Sequence, residues 1–212
     1  LFAFWLDNGG LQEELSQKNR EYFTRLAQDT WEFFARYANE ANGYLAPDNA
    51  QISPLRPEVL RTSPTNMGFS VLAPVNAYHF QFIEKDEMCL RVDGALRTIE
   101  SMEKWQGHLY NWYDLQTKAP TKPMYVSTVD SGNLAACLVA VAQAMKKENA
   151  PTLAKRAEEL AAGMDFSKLY DTDLKLLSIG YDCTQQQLTK SFYDLYASEA
   201  RITSLFAIAA HQ

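Results

Sequence analysis

Cysteine and histidine are scarce in this chain, with three of each in 212 residues. Cys89, Cys137 and Cys183 are odd in number and far apart, and two of them sit in apolar helical patterns. They read as small buried hydrophobes, not as a disulfide framework or a zinc site. His79, His108 and His211 lack ligand spacing, so neither a metal nor another cofactor is expected. Basic charge is also short: 20 Lys and Arg stand against 26 Asp and Glu, a net charge of −6. A nucleic-acid partner would want a basic face, and this balance argues against one. Only Lys146 and Lys147 are adjacent among the basic residues, too little for an anchor to anionic lipid. No stretch approaches the roughly 20 apolar residues of a membrane span. The opening LFAFWLDNGG lacks the charged region that starts a signal peptide. Both ends are abrupt, and we expect the chain to be a piece of a larger protein.

Apolar and aromatic residues, in contrast, are plentiful at 47% and 12%, enough for a packed core and unlike a disordered chain. Apolar spacing near 3.6 predicts six helices. The first covers about residues 11–39, with Tyr22, Phe23, Leu26, Phe33, Phe34 and Tyr37 on one stripe. The second starts at Ser63-Pro64, a cap and first-turn proline, and runs to about residue 80, with Pro74 expected to kink or interrupt it. The third spans about 86–105. The fourth starts near Asp130-Ser131 and is apolar nearly all round, which predicts a buried helix. The fifth covers about 151–163, and the sixth starts between 194 and 198 and reaches about 210. Residues 174–182, LKLLSIGYD, read as a short β-hairpin.

The connections alternate in length. Those before helices two, four and six are long (about 40–62, 106–129 and 165–193), and those before three and five are short. Antiparallel helices in series put successive loops at opposite ends. The three long loops therefore gather on one face, and the apolar helices two, four and six form an inner layer. This is the plan of an all-α fold, an α/α toroid of the six-fold type. Six helices make about half of its twelve, in one partial domain over 1–212 without an internal boundary.

The segment 107–134, GHLYNWYDLQTKAPTKPMYVSTVDSGNL, mixes Tyr110, Trp112, Tyr113 and Tyr125 with Asn111, Asp114, Asp130 and Asn133. Flat rings among carboxylates and amides suit a ligand with apolar faces and a fringe of hydroxyls, such as a sugar. Phosphate would want Gly-rich turns or Arg clusters, and this segment has neither. Ser63, Asp130 and Ser198 are either helix caps or members of the site. Asp48-Asn49 is a turn or a polar contact. Glycoside chemistry needs two carboxylates flanking the scissile bond, one an acid and one a base or nucleophile. Asp130, Asp114, Asp194 and Glu199 are the candidates.

Three blocks, RTSPTNMG (61–68), GHLYNWYD (107–114) and YVSTVDSGNLA (125–135), resemble the central region of cyclic β-1,2-glucan synthases. LLSIGY (176–181) and YDLYASEAR (193–201) are similar to later blocks of that region. The resemblance runs in order over about residues 44–209. It implies a glycoamylase-like α/α toroid lying between a membrane-bound glycosyltransferase part and a phosphorylase-like part. The implied role is cutting and rejoining a linear β-1,2-glucan into a ring, in a parent at the cytoplasmic side of the inner membrane. Related β-1,2-glucan hydrolases share the fold.

The combined expectation is a fragment of a glucan-processing transglycosylase whose partner is a β-glucan oligosaccharide, inactive or nearly so by itself. The expected catalytic residues are Asp130 and Glu199. Substrate binding is expected at Asn66, Tyr110, Asn111, Trp112, Asp114, Asn133, Asp194 and Arg201. A non-catalytic glucan-binding module, a β-1,2-glucan hydrolase and a helical scaffold are the alternatives. Half a toroid exposes the sides of helices four and six, through which two copies could pair.

Overall fold

The computed structural model describes residues 16–55, 59–194 and 199–212. Six α-helices organise them: α1 (Gln17–Tyr37), α2 (Pro64–His79), α3 (Lys85–Ser101), α4 (Thr128–Lys147), α5 (Pro151–Ala162) and α6 (Arg201–Ala209). Local chemistry sets their ends. Ser16 accepts the amide of Asn19 at 3.2 Å and caps α1. Ser63 does the same for Asn66 at 3.3 Å, with Pro64 in the first turn of α2. The helix continues through Pro74, which is buried, so the proline does not interrupt it. The third helix ends four residues before the expected 105. There the Lys104 ammonium bonds the carbonyls of Ile99, Glu100 and Met102 at 2.6, 3.0 and 2.9 Å and closes the C-terminus.

The inner layer is α2, α4 and α6, with α4 packed against both of the others. Helix α3 lies outside α2, α5 outside α4, and the two outer helices touch each other. The core between the layers holds Met67, Val71, Met88, Leu96, Leu134, Leu138 and Met145, all at 0% exposure. Eleven residues of α4 are buried, which accounts for its apolar character on nearly every side. Gly132 permits the contact of α4 with α6, because a β-carbon there would lie 1.8 Å from the Thr203 hydroxyl oxygen. Helix α1 has no buried residue and leaves Tyr22, Phe23 and Leu26 about half exposed or more. The arrangement is the all-α half-toroid that the loop alternation predicts.

The long connections do meet at one end, and short antiparallel strands join them. Strand β1 (Arg61–Thr62) pairs with β2 (Tyr113–Asp114), setting Thr62 opposite Tyr113. Strand β3 (Tyr125–Ser127) pairs with β6 (Gly180–Asp182), which also pairs with β7 (Gln187–Leu188). Strand β4 (Tyr170–Asp171) pairs with β5 (Leu176–Leu177). The hairpin expected over 174–182 is thus two hairpins. Leu176–Leu177 turns back on Tyr170–Asp171, and residues 180–182 belong to the other sheet. Among the described residues no helix is long and apolar enough to cross a membrane.

Candidate functional site

The first turns of α2 and α4 lie side by side under these loops. Ser127, and not Asp130, caps α4, its hydroxyl accepting the Asp130 amide at 3.2 Å. The Asp130 side chain, relieved of capping, accepts the side-chain amide of Asn111 at 3.2 Å. One turn on, the Asn133 amide donates to the Thr65 hydroxyl of α2 at 3.1 Å. Asn66 completes the group. Its side-chain nitrogen is buried without a hydrogen-bond partner, as are Asn111 Oδ1, Ser131 Oγ and Thr62 Oγ1. Buried polar atoms in folded proteins nearly always have partners, so four unpartnered ones around two helix N-termini call for an explanation.

The phenols of Tyr125 and Tyr193 border the same cluster. Burial first, then the fields of Tyr125, Glu199 and Asp130, push the Tyr193 phenol up to about 12. Tyr193 is therefore a neutral hydroxyl at ordinary pH, influenced by both predicted catalytic carboxylates. Tyr125 is also raised, chiefly by burial and in part by Asp130, against a lowering bond from Thr189. Its hydroxyl lies so close over Gly180 that a β-carbon there would come within 2.1 Å. Tyr193 is the residue that sequence reasoning passes over, although it stands next to Asp194 in the quoted block.

The loops and the start of α6 carry the other expected site residues. Tyr110 is 5% exposed in the core, its amide bonded to the Tyr113 hydroxyl at 3.1 Å, and it anchors the loop instead of presenting a ring. Tyr113 is fully buried and donates its hydroxyl to the Glu103 carbonyl. The Asp114 carboxylate serves its own turn with one oxygen, Oδ1. It accepts the amides of Gln116 and Thr117 and the Thr117 hydroxyl at 3.0, 2.7 and 2.9 Å, which holds its carboxyl below the usual range. Trp112 is half-buried with one ring face under the Arg61 guanidinium at 4.2 Å. Arg61 in turn pairs with Asp48 at 3.1 Å, so Asp48 is a structural contact. Asp194, Glu199 and Arg201 are exposed, Arg201 opening α6. Residues 195–198, Ser198 and its expected cap among them, lie outside the described residues, and so does 11–15 of the first expected helix.

His108 is fully buried, edge-on to Phe166 at 4.8 Å, and burial lowers its basicity against the raising effect of Asp165. It sits behind Gly107, whose left-handed backbone lies against α5: a β-carbon there would meet the Gly163 carbonyl oxygen at 1.8 Å. A separate apolar groove of about 390 Å³, between α6 and the 166–177 segment, shares no lining residue with the Asp130 cluster. Among the described residues no group of three or more His, Cys, Asp or Glu is placed to hold a metal ion.

No protein-family model matches the chain. It is similar to the cyclic beta-(1,2)-glucan synthase NdvB of Rhizobium meliloti, 27% identical, across 92% of this chain and 11% of the synthase. The resemblance read from the sequence blocks is thus shown over nearly the whole chain. Among solved structures it is similar to an endo-beta-1,2-glucanase of Chitinophaga pinensis, solved with sophorotriose and glucose. The TM-score is 0.75 at 16% identity, over 90% of this chain and 47% of the other. An endo-beta-1,2-glucanase of Talaromyces funiculosus solved with sophorose gives 0.69 at 15%, over 97% and 49%. These likenesses show the fold, and the chain spans about half the length of these two structures.

Proposed function

We propose that this chain is one wall of a β-1,2-glucan site in an enzyme that breaks and remakes glycosidic bonds, as the synthase resemblance implies. The observation that carries the reading is the set of unpartnered buried polar atoms around Asp130, a composition matched to sugar hydroxyls. Asp130 and Glu199 are the carboxylate pair. One gives a proton to the leaving glycosidic oxygen as its bond to the anomeric carbon breaks. The other attacks the opposite face of that carbon, and the first then takes the proton of the incoming glucan hydroxyl as its oxygen displaces the second and forms the new β bond. Tyr193, protonated and under the influence of both, orients hydroxyls. Asn66, Asn111 and Asn133 face the glucan edge, Trp112 offers the ring face not covered by Arg61, and Asp194 and Arg201 bind further along the chain.

The half-toroid, one domain with no internal boundary, supplies binding without the opposite wall, so turnover by the 212 residues alone is slight or nil. Ile202, Leu205 and Ile208 of α6 are 39, 67 and 72% exposed, and Val139 of α4 is 41%. This apolar edge is where two copies of the isolated chain associate. The parent acts at the cytoplasmic face of the inner membrane. In the full-length protein, Asp130→Asn should cut ring formation from linear β-1,2-glucan by about 100-fold or more while leaving the fold. An unchanged rate removes Asp130 from the chemistry. Shortened linear products in place of rings indicate a hydrolase, and binding without any new product indicates a non-catalytic module.

A further inference from the structure

We infer that Asn111 is a one-way reader: it positions the Asp130 carboxylate with its amide nitrogen and accepts one ligand hydroxyl proton with its oxygen. This rests on the glucan reading above.

The backbone at residue 111 is held from both directions. Its own amide donates to the Tyr125 carbonyl at 2.7 Å. The Trp112 carbonyl accepts the Thr121 amide at 2.8 Å, and Tyr113 is in register with Thr62. From this fixed point the side chain crosses to the first turn of α4 and donates to Asp130 Oδ2 at 3.2 Å. Asp130 is itself fixed at the backbone by Ser127.

A carboxylate only accepts hydrogen bonds, so the nitrogen end of the amide must face it. That choice leaves Oδ1 pointing the other way, where it is buried and has no protein partner. A buried acceptor is satisfied by a donor, and a sugar O–H is one; an ether oxygen or a fluorine is not. Asn133 differs. Its partner, the Thr65 hydroxyl, can donate or accept, so nothing fixes which end of that amide faces the ligand. The direction of reading is locked at Asn111 by Asp130.

The test uses the full-length protein and sophorose, with each hydroxyl in turn replaced by fluorine, and measures affinity by calorimetry. With the unchanged protein, one fluorinated sophorose should bind about 10-fold more weakly than sophorose, as expected for a lost hydrogen bond to a buried acceptor. That penalty should vanish in Asn111→Ala and in Asn111→Ser, the latter keeping a small polar side chain should the alanine variant fold poorly. It should also shrink in Asp130→Asn, where the facing amide no longer dictates the orientation of Asn111. A purely structural role would weaken every derivative equally, and equal penalties in unchanged and substituted proteins at every position overturn the inference alone. If the unchanged protein fails to bind sophorose, the glucan reading falls and takes this inference with it.

Discussion

The outer wall and the loop-bearing end of this molecule treat polar groups in opposite ways. On the outer wall charges find partners within the chain. Arg156 of α5 forks onto Glu100 of α3 at 2.7 and 2.8 Å and also pairs with Asp93. Lys85 reaches Glu148 at 3.5 Å, and Arg91 reaches Glu87 at 2.9 Å. At the loop-bearing end, Thr62, Asn66, Asn111 and Ser131 each keep a buried polar atom that no protein group satisfies. Buried atoms of this kind weaken the fold unless something else pairs with them. The contrast separates polar groups satisfied within the chain from polar groups that are not, and the proposed glucan site uses the second kind.

Substitutions can sharpen or break that contrast. The largest effect is expected at the seam joining the inner helices α4 and α6 beneath the loops. Gly132→Val should destabilise by about 3 kcal/mol in denaturant unfolding, since even a β-carbon collides with Thr203 across the α4–α6 contact. A loss below about 1 kcal/mol would mean that α6 is free to shift away. On the outer wall, Arg156→Ala strands Glu100 and leaves Asp93 with Arg97 alone, and should cost about 1 kcal/mol with no change in glucan affinity. Ser131→Ala should give the smallest and opposite effect, a gain of about 0.5 kcal/mol, because the hydroxyl it removes is buried and unpaired. The same variant should weaken glucan binding. A stability loss matching that of Arg156→Ala would show that the fold does use the Ser131 hydroxyl, and the contrast would fail there.

The helices were legible because burial on one side of a helix imposes a 3.6-residue apolar repeat, and the alternation of loop lengths then gave the layers and the common end. The sheets that stitch the loops were not, since strands of two or three residues such as Arg61–Thr62 carry no period and their partners lie far along the chain. Within the site, Asp130 and its asparagines could be picked out as residue types. Which aspartate was already employed could not: Asp114 serves a turn, and the capping of α4 falls to Ser127, a serine three residues ahead of an acid. Aromatic content likewise says nothing about facing. Tyr110 and Trp112, two residues apart, end in the core and under an arginine respectively.

The strand pairs β1–β2 and β3–β6 have a mechanical consequence. They turn three connections, which would otherwise be separate arms, into a single plate resting on the ends of α2 and α4. A load applied at one point, such as Trp112, passes through Tyr113 to Thr62 and through the Asn111–Tyr125 bond to β6. The plate therefore moves as one piece or not at all, and exchange of its amides with solvent should follow one opening event across strands that lie more than a hundred residues apart.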